Sequence, residues 1–166
     1  MFSKLLPDWV VSGICRLTPK WLAEQGVSAV LTDLDNTLTG YRGYSPDKDV
    51  AEWIRSMKEN NIGLMIISNN HSHERVAGFA EPLDIPYISK GGKPGTDSLL
   101  RALKTLAVNP ENAIMAGDQV FIDILAGNRA GVRTVLVEPY NMNFLFYLRR
   151  ICETPFIRLS KKKQKR

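Results

Sequence analysis

The sequence predicts an α/β fold, a Rossmann-like three-layer sandwich built on a mainly parallel five-stranded sheet. Three observations carry that expectation. The runs VSAVLTD, GLMIIS and AIMAG show no polar alternation, as expected of strands covered on both faces. Segments with apolar residues at helical spacing lie between them, so strands and helices alternate from residue 27 onward. A chain of 166 residues, 44% of them hydrophobic, fills one such core and is too short for two comfortable domains.

Each element follows from local signals. Thr18 and Pro19 read as an N-cap and first helical position, and Gly26 as a stop, giving a short helix over 19–25. The first strand covers 27–33. Ser45 and Pro46 open the next helix, with Val50, Ile54 and Met57 on one face and an end near Asn60 and Asn61. GLMIIS (63–68) is a central strand, followed by a helix starting near Ser72 and a shorter strand, PYIS. Leu99, Leu103 and Leu106 mark a helix, AIMAG (113–117) a strand, and 120–130 a helix closed by Gly131. RTVLVE supplies the last strand. A functional site is then expected at the carboxyl ends of the strands.

Charge is distributed unevenly. Residues 149–166 hold eight Lys or Arg against one acid, Glu153, while the other 148 residues hold 14 basic and 16 acidic residues. The formal charge of +5 is therefore a property of the C-terminal segment. We expect one domain over 1–148, with its motif core at 27–138, and a basic tail over 149–166. The two cysteines, Cys15 and Cys152, are expected as reduced thiols, since a core of this size needs no disulfide framework. Pro7, Asp8 and Gly13 interrupt the N-terminal apolar stretch, so no signal peptide is expected. No run reaches the roughly 20 apolar residues that a membrane span needs. A cytoplasmic protein is expected, either free or peripheral at the inner face of the membrane.

The candidate chemistry lies where strands end. Asp33 and Asp35 sit in DLDNTL at the end of the first strand. A carboxylate followed two residues later by a second acid suits phosphoryl transfer: the first attacks phosphorus and the second reaches the leaving oxygen. An isolated Asp has a pKa of about 3.9, so the second acid must be kept protonated by its anionic surroundings to act as an acid. The hydroxyls of Ser68 and Thr37, with nearby backbone N–H groups, can donate to phosphate oxygens, and Asn69 offers one such N–H. Lys93 brings a compact positive charge. Asp118 follows AIMAG and Asp123 comes five residues later; such oxygen ligands suit Mg2+. Alone, each of these fragments reads as a turn or loop, and their joint occurrence at successive strand ends is what argues for a site. His71 and His73, two residues apart, do not share a helix face and are expected to be exposed or beside the substrate, not metal ligands.

In this order, DLDNTL, ISNN, KPG and GDQVFID resemble the four motifs of haloacid dehalogenase (HAD) superfamily phosphatases. GDQVFIDILAGNRAGV is similar to subfamily IIIA, especially its YqeG-type branch, related to phosphatidylglycerophosphate phosphatases. The resemblance implies Asp33 as nucleophile and metal ligand, and Asp35 as acid/base with a metal-binding backbone carbonyl. It also implies phosphate binding by Thr37, Ser68 and Lys93, and metal contacts from Asp118 and Asp123. Ile122 stands where this branch usually carries Thr, which removes one supporting hydrogen bond.

Only 32 residues separate Asp35 from Ser68, and 24 separate Ser68 from Lys93, which leaves no room for a cap domain. Capless relatives act on large substrates or borrow a lid. Together with the aromatic and basic segment NFLFYLRRICETPFIRLSKKKQKR, this favours a phosphorylated lipid headgroup such as phosphatidylglycerophosphate. In that segment, helix packing with solvated lysines competes with a role at an anionic membrane, where each cation gains about 1 kcal/mol. Nucleic acid is not expected, because no aromatic platform or RNA-binding motif accompanies the charge. Two other readings stand beside a lipid phosphatase: a phosphatase of a soluble sugar, nucleotide or protein phosphate, and a non-catalytic assembly factor using the basic tail.

Overall fold

A computed structural model describes residues 2–41, 43–141 and 144–164. Its sheet has six strands in the order β1-β6-β5-β2-β3-β4, all parallel. These are β1 (Trp9–Val11), β2 (Ala29–Thr32), β3 (Gly63–Ile67), β4 (Tyr87–Ile88), β5 (Ala113–Gly117) and β6 (Arg133–Val137). The helices are α1 (Pro19–Glu24), α2 (Lys48–Glu59), α3 (His73–Ala80), α4 (Asp97–Leu106), α5 (Leu125–Ala130) and α6 (Phe144–Gln164). The expected sandwich is present and, among the described residues, no domain is inserted between its elements.

The sixth strand, β1, was not anticipated. Three residues are too few to establish a pattern, and β1 is held from outside: Asp8 accepts from the Thr134 N–H at 2.8 Å and donates its own N–H to the Thr134 carbonyl at 3.0 Å. Helix α2 starts later than Ser45 and Pro46 suggest. The Asp47 carboxylate accepts from the Val50 N–H at 2.9 Å and takes the cap, in keeping with the ranking of cap residues. Thr18 caps α1 as its sequence implies, accepting from the Trp21 N–H. The helix expected over 120–130 divides into a π-helical turn, Val120–Ile124, and α5, closed by Gly131 at φ 77°.

Side-chain alternation separates two cores. Val30, Ile66, Ile114, Ala116, Val135 and Val137 face α2 and α3, packing with Trp53, Met57, Val76 and Phe79. Ala29, Leu31, Met65, Ile67, Ala113 and Met115 face the other way, onto Leu99, Ala102, Leu103 and Ala126. The register aligns the strand ends: Thr32 stands opposite Ile66 on β3 and Ala116 on β5. The chain therefore leaves all three central strands at one edge, carrying Asp33, Ser68 and Asp118 to the same mouth.

Beyond Leu148 the chain stays helical to Gln164, with Pro155 inside the helix. Ile157 packs with Val120, Ile124 and Leu136, while Ser160 Oγ donates to the Pro7 carbonyl at 2.6 Å. Of the segment expected as a tail, Lys165 and Arg166 lie outside the described residues. Among the described residues no helix is long and apolar enough to cross a membrane.

Candidate active site

Asp33 is fixed by the sheet itself. Its N–H donates to the Ala116 carbonyl at 2.9 Å, extending the β2–β5 ladder one residue past the strand. Asp118 follows β5, and Asp123 reaches back from the π-helical turn so that its Oδ2 accepts from the Gln119 N–H at 3.1 Å. One carboxylate oxygen from each of Asp33, Asp118 and Asp123 lies within 4.8 Å of the others, and all three residues are buried. Lys93 enters from the loop after β4. Asn69 clips that loop from both sides, donating Nδ2 to the Lys93 carbonyl (2.7 Å) and accepting the Lys93 N–H on Oδ1 (2.9 Å). Lys93 Nζ then donates to Asp33 Oδ1 at 2.8 Å and to Asp123 Oδ1 at 2.7 Å.

The electrostatics follow from burial and crowding. Burial pushes the Asp33 carboxyl up, the Lys93 ammonium pulls it down, and Asp123 and Asp35 add to the rise, leaving it at about 6. Burial and then Asp123 and Asp33 push Asp118 further, to about 8, against the pull of Arg149 and Arg150. Burial alone would discharge Lys93, but Asp123 and Asp33 outweigh it and hold the ammonium above lysine's ordinary range. Asp118 Oδ1 is buried and has no hydrogen-bond partner among the described residues. A buried acceptor without a donor, inside a knot of three carboxylates, fits a hard divalent cation ligated by oxygen.

Asp35 stands at the cleft edge. Its Oδ1 accepts from Arg75 Nη2 at 2.8 Å and its Oδ2 from Asn70 Nδ2 at 3.1 Å. Arg75, on α3, is buried and lies over the Tyr44 ring at 5.1 Å. Asn36, directly after the second acid, adopts φ 62°, a left-handed turn that Asn tolerates, and its N–H donates to the Thr39 carbonyl. Together with Asp33 and Asp35, the cleft is lined by Asn36, Ser68, Asn69, His71, Gln119 and Phe146.

The structure thus brings together Asp33, Asp35, Ser68, Asn69, Lys93, Asp118 and Asp123. Ser68 Oγ accepts from the Asn70 N–H at 3.1 Å, which leaves its own proton free to donate. Thr37 is fully buried, its hydroxyl has no hydrogen-bond partner among the described residues, and it borders a depression beside Ile14, Cys15, Asp47 and Tyr140. His71 is exposed at the cleft, while His73 lies 3.2 Å from Ser89 Oγ and packs against Tyr87.

Sequence reasoning missed Arg75, Asn70 and Arg149. Arg149, on α6, donates Nη2 to Asp118 Oδ2 at 3.1 Å, with its guanidinium 4.3 Å from the Phe146 ring centre. The neighbouring Glu153 is fully buried and accepts the Val120 N–H at 2.9 Å. The signal available was Glu153 itself, a lone acid among eight cations one turn from Arg149 and Arg150.

The sequence profile of the haloacid dehalogenase-like hydrolases matches residues 8–131. The chain belongs to that family. It is 41% identical over 134 residues to the probable phosphatase YqeG of Bacillus subtilis, covering 81% of this chain and 77% of that protein. It is 24% identical to phosphatidylglycerophosphate phosphatase 1 of Arabidopsis thaliana, over 81% of this chain and 41% of that protein. Among solved structures, the cobalt-bound deoxy-D-mannose-octulosonate 8-phosphate phosphatase of Haemophilus influenzae shares the fold. The TM-score is 0.56 at 18% identity, over 68% of this chain and 69% of that one. This HAD-family chain is a phosphatase, and its buried carboxylate triad is of the kind that holds a divalent cation.

Proposed function

We propose that the chain is a magnesium-dependent phosphomonoesterase working through an aspartyl-phosphate on Asp33. The observation that carries this reading is the convergence of Asp33, Lys93, Asp118 and Asp123, from three separate segments, on one point at the sheet edge. In the first step a carboxylate oxygen of Asp33 attacks phosphorus while the ester P–O bond breaks, and Asp35 passes its proton to the departing alkoxide. In the second step water attacks the phosphoryl group, Asp35 takes the water's proton, and inorganic phosphate leaves with Asp33 restored. Asn70 and Arg75 aim the Asp35 carboxyl throughout. Ser68 and Lys93 donate to the phosphoryl oxygens, and Asn69 holds the Lys93 loop at the required height. Mg2+, held by Asp33, the Asp35 carbonyl, Asp118 and Asp123, would supply the charge that keeps these carboxylates from repelling the substrate.

The substrate we propose is phosphatidylglycerophosphate or a closely similar phospholipid. Three features support it: the similarity to the Arabidopsis enzyme, the open cleft without a cap, and the exposed Phe144, Tyr147, Leu148 and Ile151 on the helix that ends in Lys161–163. The location that follows is the cytoplasm, at the inner face of an anionic membrane. The test is magnesium-dependent phosphate release by wild type and Asp33→Asn, from phosphatidylglycerophosphate in vesicles and from water-soluble phosphate esters. We expect the vesicle substrate to be preferred and Asp33→Asn to be silent on both. Equal release by the two proteins would remove the enzyme reading, and preference for a soluble ester would remove the lipid.

A further inference from the structure

Three cations serve the site, and they are engaged to different degrees. Lys93 is fully enclosed and donates to both Asp33 and Asp123, while the Arg75 side chain is 5% exposed and bound to Asp35. The Arg149 side chain is 25% exposed, and its partner within the triad is Asp118. Its other carboxylate, Glu153, lies 3.6 Å away and is already supplied by the Val120 N–H and by Arg150 at 3.4 Å. Arg149 is the most exposed of the three.

Helix α6 also forms one wall of the cleft. Phe146 lines it beside Asp33, Asp35 and Ser68, and the same ring lies under the Arg149 guanidinium. The helix is anchored at depth, through Glu153 to the first amide of the π-helical turn and through Ile157 and Ser160 to the body of the domain. Its position beside the carboxylates is therefore fixed, while the Arg149 side chain still reaches solvent.

We propose that α6 supplies the side-chain wall that the missing cap would otherwise provide. In this arrangement Arg149 is a phosphate-binding residue that rests on Asp118 until Asp118 is engaged as a metal ligand. This rests on the phosphatase reading of the cleft. In the resting arrangement Arg149 offsets charge that would otherwise be uncompensated in the buried triad. Once Asp118 serves as a ligand, the guanidinium loses its short partner, and its Nη donors are released beside Phe146, which lines the cleft. Those donors form a planar fork, the geometry that matches two oxygens of one phosphate. Lys93, a point charge at the floor, cannot provide that two-pronged contact. The substrate class implied is a phosphomonoester with its terminal group fully accessible, gripped from below by Lys93 and from the α6 side by Arg149.

The test is calorimetric titration of Mg2+, and then of inorganic phosphate in saturating Mg2+, on wild type, Arg149→Met and Arg149→Lys. Removing the resident cation should tighten Mg2+ binding several-fold, because Asp118 no longer has a competing partner. The same change should weaken phosphate by about tenfold or more, the usual loss for a charged donor pair. Arg149→Lys should stay close to wild type for Mg2+ and still bind phosphate more weakly. It also covers the case in which Arg149→Met does not fold. Unchanged phosphate affinity in Arg149→Lys, or Mg2+ and phosphate affinities that fall together in Arg149→Met, would overturn the proposal. Failure of wild type to hydrolyse any ester would instead strike the phosphatase reading, and these titrations read Arg149 without turnover.

Discussion

Lys93 Nζ lies 2.8 Å from Asp33 Oδ1, and the lysine side chain is sealed from solvent. Because Asp123 Oδ1 shares the same ammonium at 2.7 Å, Lys93 is both a phosphate donor and the counter-charge of a buried cluster. Lys93→Met should therefore destabilise the metal-free protein by about 3–5 kcal/mol, the usual cost of stranding a buried charge. Denaturant melts in EDTA and in Mg2+ check this, and the deficit should shrink with the metal. Phosphate release by the variant should fall far below that of the wild type.

Gly117 faces the Asp123 carboxylate so closely that a Cβ would collide with it. Asp123 cannot yield without surrendering the Gln119 N–H and Lys93. Gly117→Ala should fold, with the apolar contacts along β5 intact, and bind Mg2+ at least tenfold more weakly through the displaced carboxylate. Calorimetry reads that loss, and wild-type affinity would show that the turn adapts.

Stability should depend on pH in a direction set by Asp33 and Asp118. Both hold their protons to higher pH when folded, at about 6 and about 8, than an unfolded Asp does at 3.8. The folded state thus binds more protons across that window, so stability is greatest below it, falls as pH rises through it, and levels off above about pH 8. Mg2+ requires the deprotonated carboxylates, so its stabilising effect should grow over the same interval. Melting temperatures in EDTA and in Mg2+, taken from about pH 5 to about pH 8.5, should diverge with rising pH.

The exposed face of α6 gives a prediction about membranes. Phe144, Tyr147, Leu148 and Ile151 stand out from the helix beside Cys152, and the cations Lys161–163 follow. Cosedimentation with anionic vesicles should weaken with salt and fall when residues after Ser160 are removed. Leu148→Asp and Ile151→Asp should lower it further while leaving hydrolysis of a soluble ester near the wild-type rate. Salt-independent binding, or none, would count against the lipid surface.

The central strands and the motif at Asp33 were legible because their signals are local: an unbroken apolar run, then acids at fixed spacing. Asp118 was legible for the same reason, since β5 ends directly before it, while Lys93 was legible from the KPG motif and is positioned by Asn69 and not by a strand end. Arg75 was not, because a lone Arg in the first turn of a helix has no local mark that distinguishes it from a solvated one. What buries it is Asp35, 40 residues away in sequence. Arg149 was hidden by its basic neighbours; only packing distinguishes it, through Asp118 and Glu153. Thr37 is read from its spacing after Asp35, and what the spacing does not give is that its hydroxyl lies buried with no partner among the described residues.

The most direct measurement is to locate the phosphoryl group during turnover. Wild-type protein mixed with substrate and Mg2+, quenched in acid within one turnover and mapped by peptide mass spectrometry, should carry phosphate on Asp33. Asp33→Asn should carry none. Phosphate on another residue, or steady hydrolysis with no phosphorylated peptide at any quench time, would contradict nucleophilic attack by Asp33.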